Sequence, residues 1–268
     1  MQIRLENIIF RYSAGVPVLN DISLDIKKGE RVALIGHNGS GKTTLAKHLN
    51  GLLRPAAGTI RIDGRKTDTE SVARLSGIVA LLFQNPDDMI AKRRVWDEVA
   101  FGPKNLAYPE GRIKILVAES LALFELLPLQ DCNPYDLGYS ERKRVALASI
   151  IAMDTPILVL DEPTAGMDPR EIVLLTGALE KLREDYKTVI IISHDMDFIA
   201  ELVPRVICLA GGKKRFDGLV RQAFQDQSLL AVCGLLQPQI VRLSTYFRQT
   251  EPALTPVEFL ENWQRRAK

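Results

Sequence analysis

The stretch "RVALIGHNGSGKTTLAKHLNG", Arg31 to Gly51, decides how the rest of the chain is read. Val32 to Ile35 form an apolar run of strand length, and Thr44 to Leu49 begin a helical pattern closed by Gly51. Between them, "GHNGSGKTT" (Gly36, His37, Asn38, Gly39, Ser40, Gly41, Lys42, Thr43, Thr44) fits G-x-x-x-x-G-K-[ST] in the strand-to-helix context that the motif requires. Glycines let successive backbone N–H groups approach phosphate, and the helix N-terminus favours an anion. In this setting Lys42 is expected to reach the β- and γ-phosphates, and Thr43 to hold Mg²⁺.

Outward from this loop, strands alternate with helices, which predicts a largely parallel α/β core. "IRLENIIFRY", "ISLDI", "GTIRIDG", "GIVALLFQ", "PILVLDEP" and "TVIIISH" read as strands. "RVICLAGGKKRFDG" reads as a hairpin about Gly211-Gly212. From about Val95 to Leu127, apolar residues at spacings of three and four (Ile113, Leu116, Val117, Leu121, Phe124) predict a helical insert. "PREIVLLTGALEKLRED" predicts another helix, with Ile172, Leu175, Leu179 and Leu182 on one face. Beyond Gly218 strands cease, and the remainder reads as helices broken by Pro238, Pro252 and Pro256. The expected domains are 1–218, with a helical subdomain near 95–150, and a helical extension over 219–268.

Composition bounds the alternatives. The 268 residues are 46% hydrophobic and 25% charged, ordinary for a soluble globular chain. A formal charge of +2 gives no electrostatic case for nucleic acid. No apolar run approaches the roughly 18 residues that span a bilayer, and "MQIRLENIIF" lacks the apolar region of a signal peptide. Cys132, Cys208 and Cys233 are too scattered for a disulfide framework and read as reduced structural thiols.

Three strand ends add chemistry to the loop. "ILVLDEP" ends in Asp161, expected to hold Mg²⁺, and Glu162, expected to polarise the attacking water. Gln84 ends "IVALLFQ" and His194 ends "VIIISH", both at the edge where open α/β sheets bind ligands.

The order of phosphate loop, Gln84, acidic strand end, "AGMD" and His194 resembles the ATP-binding cassette (ABC) ATPases over residues 1 to 218. The resemblance implies ATP and Mg²⁺ as ligands, Tyr12 stacking on adenine, and Gln84 sensing Mg²⁺ and γ-phosphate. It further implies Glu162 as catalytic glutamate, His194 as switch histidine, and Asp168 as an aspartate at a dimer interface. "FQNPDD", "DEVAFGPKNL" and the tail "LQPQIVRLSTYFRQTEPALTPVEFLENW" resemble the ATPases of energy-coupling factor transporters, importers of vitamins and transition-metal ions. The intervening "MIAKRRVWDEV" is more basic than that family's usual run. The subfamily implies a transmembrane coupling subunit and a substrate-binding membrane subunit as partners. It also implies a peripheral site on the cytoplasmic face of the membrane, reached only through protein. An ATPase of another importer or exporter, or a cassette ATPase not involved in transport, is the alternative. The single cassette and the absence of a pronounced basic patch argue against the last.

One element departs from the family. Where the family reads L-S-G-G-Q, "LGYSERKRV" places Leu137, Gly138, Tyr139, Ser140 and Glu141. The serine hydroxyl is gone from its place, and Tyr139 brings bulk where glycine would admit phosphate. A charge-assisted hydrogen bond is worth about 1.5–3 kcal/mol, so its loss weakens nucleotide grip by about 10- to 100-fold. Ser140 is a relocated phosphate donor, or a helix N-cap, or part of a degenerate element whose work passes elsewhere in the dimer. Cassettes of this family pair head to tail, each signature closing over the partner's ATP. An intact catalytic set beside a damaged signature therefore implies a second, different cassette with an intact signature as partner.

Overall fold

In the computed structural model, residues 2–13, 15–249 and 251–266 are described. Met1, Ala14, Thr250, Ala267 and Lys268, which fall inside the expected domain spans, lie outside the described residues. The strands are β1 (Ile3–Phe10), β2 (Leu19–Ile26), β3 (Arg31–Ile35), β4 (Ala57–Ile62), β5 (Arg65–Lys66), β6 (Val79–Leu82), β7 (Ile157–Asp161), β8 (Thr188–Ile192), β9 (Arg205–Ala210) and β10 (Lys213–Leu219). The helices are α1 (Lys42–Leu49), α2 (Val72–Ser76), α3 (Val95–Asn105), α4 (Glu110–Leu123), α5 (Tyr139–Ala152), α6 (Pro169–Glu184), α7 (Met196–Leu202), α8 (Val220–Gln225), α9 (Gln227–Cys233), α10 (Gln239–Tyr246) and α11 (Pro256–Arg266).

The strands form two sheets. One is antiparallel, in the order β2-β1-β4-β5; the other runs β10-β9-β3-β8-β7-β6. Within the second, β9, β3, β8, β7 and β6 are parallel, and β10 joins as an antiparallel edge through the expected hairpin. This is the mostly parallel α/β sheet with antiparallel β elements that the sequence predicts.

Side chains alternate across the parallel sheet, as a strand's period of two requires. Ala33, Ile35, Ala80, Leu82, Leu158, Leu160 and Ile191 face the helices of the insert and α6. Val32, Leu34, Val79, Leu81, Val159 and Ile190 face the other way, onto α1 and the antiparallel sheet. Both faces are covered, so the central strands read as near-continuous apolar runs. The predicted insert is three helices, α3 to α5, packed on one another. The C-terminal segment folds as α8 to α11, with Pro238 preceding α10 and Pro256 opening α11.

Because β3, β7, β8 and β6 run parallel, their C-terminal ends share one edge. The phosphate loop, Asp161-Glu162, His194 and Gln84 follow those ends, so topology alone collects residues that lie up to 158 positions apart in the chain.

Candidate functional site

The loop from Gly36 to Gly41 holds its shape through backbone that side chains cannot adopt. Gly41 has φ +105°, and a Cβ there would fall 2.9 Å from the Val18 carbonyl. Lys42 folds back into the loop: its Nζ donates to the carbonyls of Gly36 at 2.7 Å and His37 at 3.1 Å. Burial pulls the Lys42 pKa down, while Glu162 and Asp161 act to raise it. The ammonium thus stands beside the place where phosphate oxygens would enter.

Thr43 Oγ1 donates to Asp161 Oδ2 at 2.6 Å, joining the loop to the end of β7. Burial raises the Asp161 pKa, opposed by the Thr43 hydroxyl and by Lys42 and Lys143. Burial likewise raises that of Glu162. Glu162 sits at φ 49°, a left-handed conformation that costs of order 1–3 kcal/mol in a non-glycine residue. Two backbone bonds hold it there: its N–H donates to Ile192 O at 2.8 Å, and Glu162 Oε2 accepts from the His194 N–H at 3.3 Å. His194 Nε2 lies 3.4 Å from Glu162 Oε1 without hydrogen-bonding geometry, and Oε1 has no hydrogen-bond partner among the described residues. Burial, then the nearby Lys42, lowers the His194 pKa, which favours a neutral imidazole.

These groups line one cleft of ≈ 460 Å³, with Tyr12 at its mouth and Gln84 on its wall. Tyr12 is 62% exposed and shares a hydrogen bond with Thr44 Oγ1 at 3.0 Å. Its ring meets Phe10 edge-on at 4.9 Å, and Phe10 meets the buried His48 edge-on at 4.6 Å. Asn38 and Gly39 also line the cleft. Ser40 is fully buried and His37 turns away, its Cβ 2.9 Å from where a Cβ on Gly234 would stand.

Gly138, Tyr139, Ser140, Glu141 and Asp168 do not line this cleft. They form a second cluster, at the starts of α5 and α6. Gly138, not Ser140, is the N-cap of α5, because Glu141 Oε2 turns back to accept from the Gly138 N–H at 2.9 Å. The reading of Ser140 as N-cap is thereby corrected: it stands one residue inside the first turn. The Tyr139 ring lies against Gly166, where a Cβ would fall 2.5 Å from Cε1. Asp168 caps α6, its Oδ1 accepting from Glu171 N–H at 2.9 Å.

Sequence reading missed Lys143. It is fully buried, and its Nζ donates to the carbonyl of Gln84 at 2.6 Å. The signal was the basic triplet "RKR" following the signature turn, which passes for a solvated helix face. It also missed His48 and Phe10, which support Tyr12 from below.

Known proteins resemble the chain along most of its length. The sequence profile of the family described as ABC transporter matches residues 19–165. A relative from Methanosarcina acetivorans is 42% identical over 245 residues, covering 91% of this chain and 40% of its own length. The energy-coupling factor transporter ATP-binding protein EcfA of Methanothermobacter thermautotrophicus is 39% identical over 248 residues, covering 92% of this chain and 80% of its own length. The chain therefore spans about two fifths of the first relative and four fifths of the second. Among solved structures, cbiO1 of Clostridium perfringens, part of the ABC transporter complex cbiONQ, superposes with a TM-score of 0.76 at 29% identity, over 92% of this chain and 98% of that one. A phosphate loop tied to a buried aspartate, a strained glutamate beside a histidine, and this match over more than half the chain all agree: the chain belongs to the ABC transporter family, as one of its ATPase cassettes.

Proposed function

We propose that this cassette energises an importer of the energy-coupling factor type, for a vitamin or a transition-metal ion, in a head-to-tail pair with a different cassette that has an intact signature. The observation that carries the reading is the contrast between its two clusters. The cleft has a complete set of groups for ATP hydrolysis. At the signature turn, Tyr139, 41% exposed, stands where the family has glycine, and its ring lies against Gly166. Head to tail, the damage falls on the partner's nucleotide, and this chain's own cleft borrows the partner's signature.

The cleft's chemistry follows from its groups. Gly39, Gly41 and the start of α1 offer N–H groups to phosphate, with Lys42 adding charge. Tyr12 is the platform for adenine. The Thr43 hydroxyl, the Asp161 carboxylate and the Gln84 amide line one cleft and form an all-oxygen donor set that fits Mg²⁺, and Asp161 is buried with the Thr43 hydroxyl as its hydrogen-bond partner. When bound, Mg²⁺ supplies positive charge to the β- and γ-phosphate oxygens. Glu162 Oε1, unpartnered and backed by His194, orients the attacking water and accepts its proton; its raised pKa suits that task. Catalysis is then mainly positioning and charge stabilisation.

Among the described residues no helix is long and apolar enough to cross a membrane, so contact with the transporter runs through protein surfaces. We assign the surface near Gln84 to the transmembrane subunit. The C-terminal helices, on which Val257, Leu260 and Trp263 are exposed, are assigned to cassette pairing. The test is co-purification from detergent-solubilised membranes. A membrane subunit and a second cassette should travel with this chain, whereas recovery free of any membrane partner would favour a cassette ATPase outside transport.

A further inference from the structure

Lys143 sits one turn into α5 with its side chain 0% exposed. A fully buried ammonium is costly unless its three donors and its charge find partners. Here Nζ donates to Gln84 O at 2.6 Å and is 3.4 Å from Phe83 O, both backbone carbonyls of the segment that leaves β6. Asp161 and Glu162 supply the negative field that opposes its desolvation. What the charge does is fix the main chain that carries Gln84 along the cleft.

Its two neighbours act on adjoining segments, since consecutive helical residues point about 100° apart. Arg142 Nε stands 2.8 Å from Asp87 Oδ1, in the turn after Gln84, and its guanidinium also donates to Leu137 O at 2.5 Å. Arg144 Nε stands 3.0 Å from Glu171 Oε1, both side chains nearly buried. The other oxygen of Glu171 accepts from the Asp168 N–H at 3.0 Å. The triplet thus reaches from the signature helix to the Gln84 segment on one side and to the Asp168 cap on the other.

We propose that Lys143 is a positioning residue for ATP hydrolysis: its buried ammonium sets the backbone of Gln84, and Arg142 and Arg144 extend that brace from the first turns of α5 to Asp87 and the Asp168 cap. The inference rests on the reading of Gln84 as a residue that works in the cleft. A shift of the signature turn moves α5 as a body, and the brace passes that shift to Gln84.

The test uses the full chain co-purified with its membrane partners and compares Lys143→Met, Lys143→Gln, Asp87→Ala and Gln84→Ala. Hydrolysis kinetics are read together with amide hydrogen exchange over residues 83–89. Lys143→Met is expected to lower kcat about tenfold with KM within about twofold, and to speed exchange over 83–89 while leaving the phosphate loop unchanged. Lys143→Gln, which restores an N–H donor to the carbonyls, should recover most of both. Should Lys143→Met fail to fold, Asp87→Ala, an exposed change, still reads the brace: faster exchange over 83–89 and a kcat about two- to threefold lower support it. A folded Lys143→Met with unchanged kcat and exchange, or Asp87→Ala without effect, overturns the proposal. If Gln84→Ala itself leaves kcat unchanged, the reading of Gln84 fails instead, whatever the lysine variants do.

Discussion

The aromatic ring of Tyr139 packs against Gly166, joining the signature turn to the loop that follows Glu162. Gly166 is glycine for two reasons at once. Its φ is +76°, and a Cβ would stand 2.5 Å and 2.7 Å from two atoms of the Tyr139 ring. Gly166→Ala is therefore expected to destabilise the fold by about 1–3 kcal/mol through strain and clash together. Chemical denaturation checks the loss. Adding Tyr139→Ala should relieve the clash but leave the strain, so the double variant should regain part of the lost stability.

The same contact suggests a gain of function. Gly138→Ser with Tyr139→Gly rebuilds the family's serine and glycine at the turn. In the head-to-tail pairing proposed above, a signature acts on the opposite nucleotide, so the double variant is expected to hydrolyse ATP as a homodimer at least about tenfold faster than the parent chain alone, the worth of one charge-assisted hydrogen bond. Steady-state hydrolysis of the isolated proteins decides it.

Glu162 is the group expected to accept the water proton. Glu162→Gln keeps the side chain's shape and removes that capacity. Hydrolysis at this chain's own cleft should fall about 10²- to 10⁴-fold, with ATP affinity little changed. Single-turnover kinetics beside equilibrium nucleotide binding separate the two effects. A parallel fall in affinity would move Glu162 from chemistry to binding.

Acid sensitivity follows from His48. Its Nδ1 bonds the Thr44 carbonyl at 2.7 Å beneath the Tyr12 platform, and the ring is fully buried. Burial lowers its pKa below the usual 6.5, against the opposing effect of the Thr44 and Arg54 backbone. Between those two values the unfolded chain binds more protons than the folded one, so stability rises with pH there. The stabilisation is whole above about pH 6.5 and is lost as pH falls through that window. His194 carries the same sign, whereas Asp154, lowered despite burial by Lys187 and Arg112, loses its contribution only below about pH 3.8. His48→Leu should therefore show a smaller drop in melting temperature from pH 7 to pH 5 than the parent, which calorimetry at both values reads directly.

How far the sequence carried this reading depends on what each residue signals locally. The parallel core was legible because strands buried on both faces leave unbroken apolar runs such as "ILVL" and "VIII". The phosphate loop, Asp161, Glu162, Gln84 and His194 were legible because each follows such a run, and their meeting is a consequence of strand order. Lys143 was not. A lysine in "ERKRV" looks like solvated helix surface, and only packing reveals that its ammonium is buried on the Gln84 carbonyl. The contact of Tyr139 with Gly166 was hidden for the same reason, since the sequence records a lost glycine but not where the ring goes. The left-handed backbone at Glu162 likewise leaves no mark on residue type.

The central claim is that a complete catalytic cleft is paired with a signature that cannot complete another. Its most direct measurement is the rate of ATP hydrolysis by this chain purified alone, beside the rate of the same chain paired with a paralogous cassette from its own genome that carries an intact signature. The account predicts that the pair is at least about tenfold faster than the chain alone, and that Glu162→Gln in this chain abolishes most of the gain. Hydrolysis by the isolated chain at the rate of the pair would contradict it.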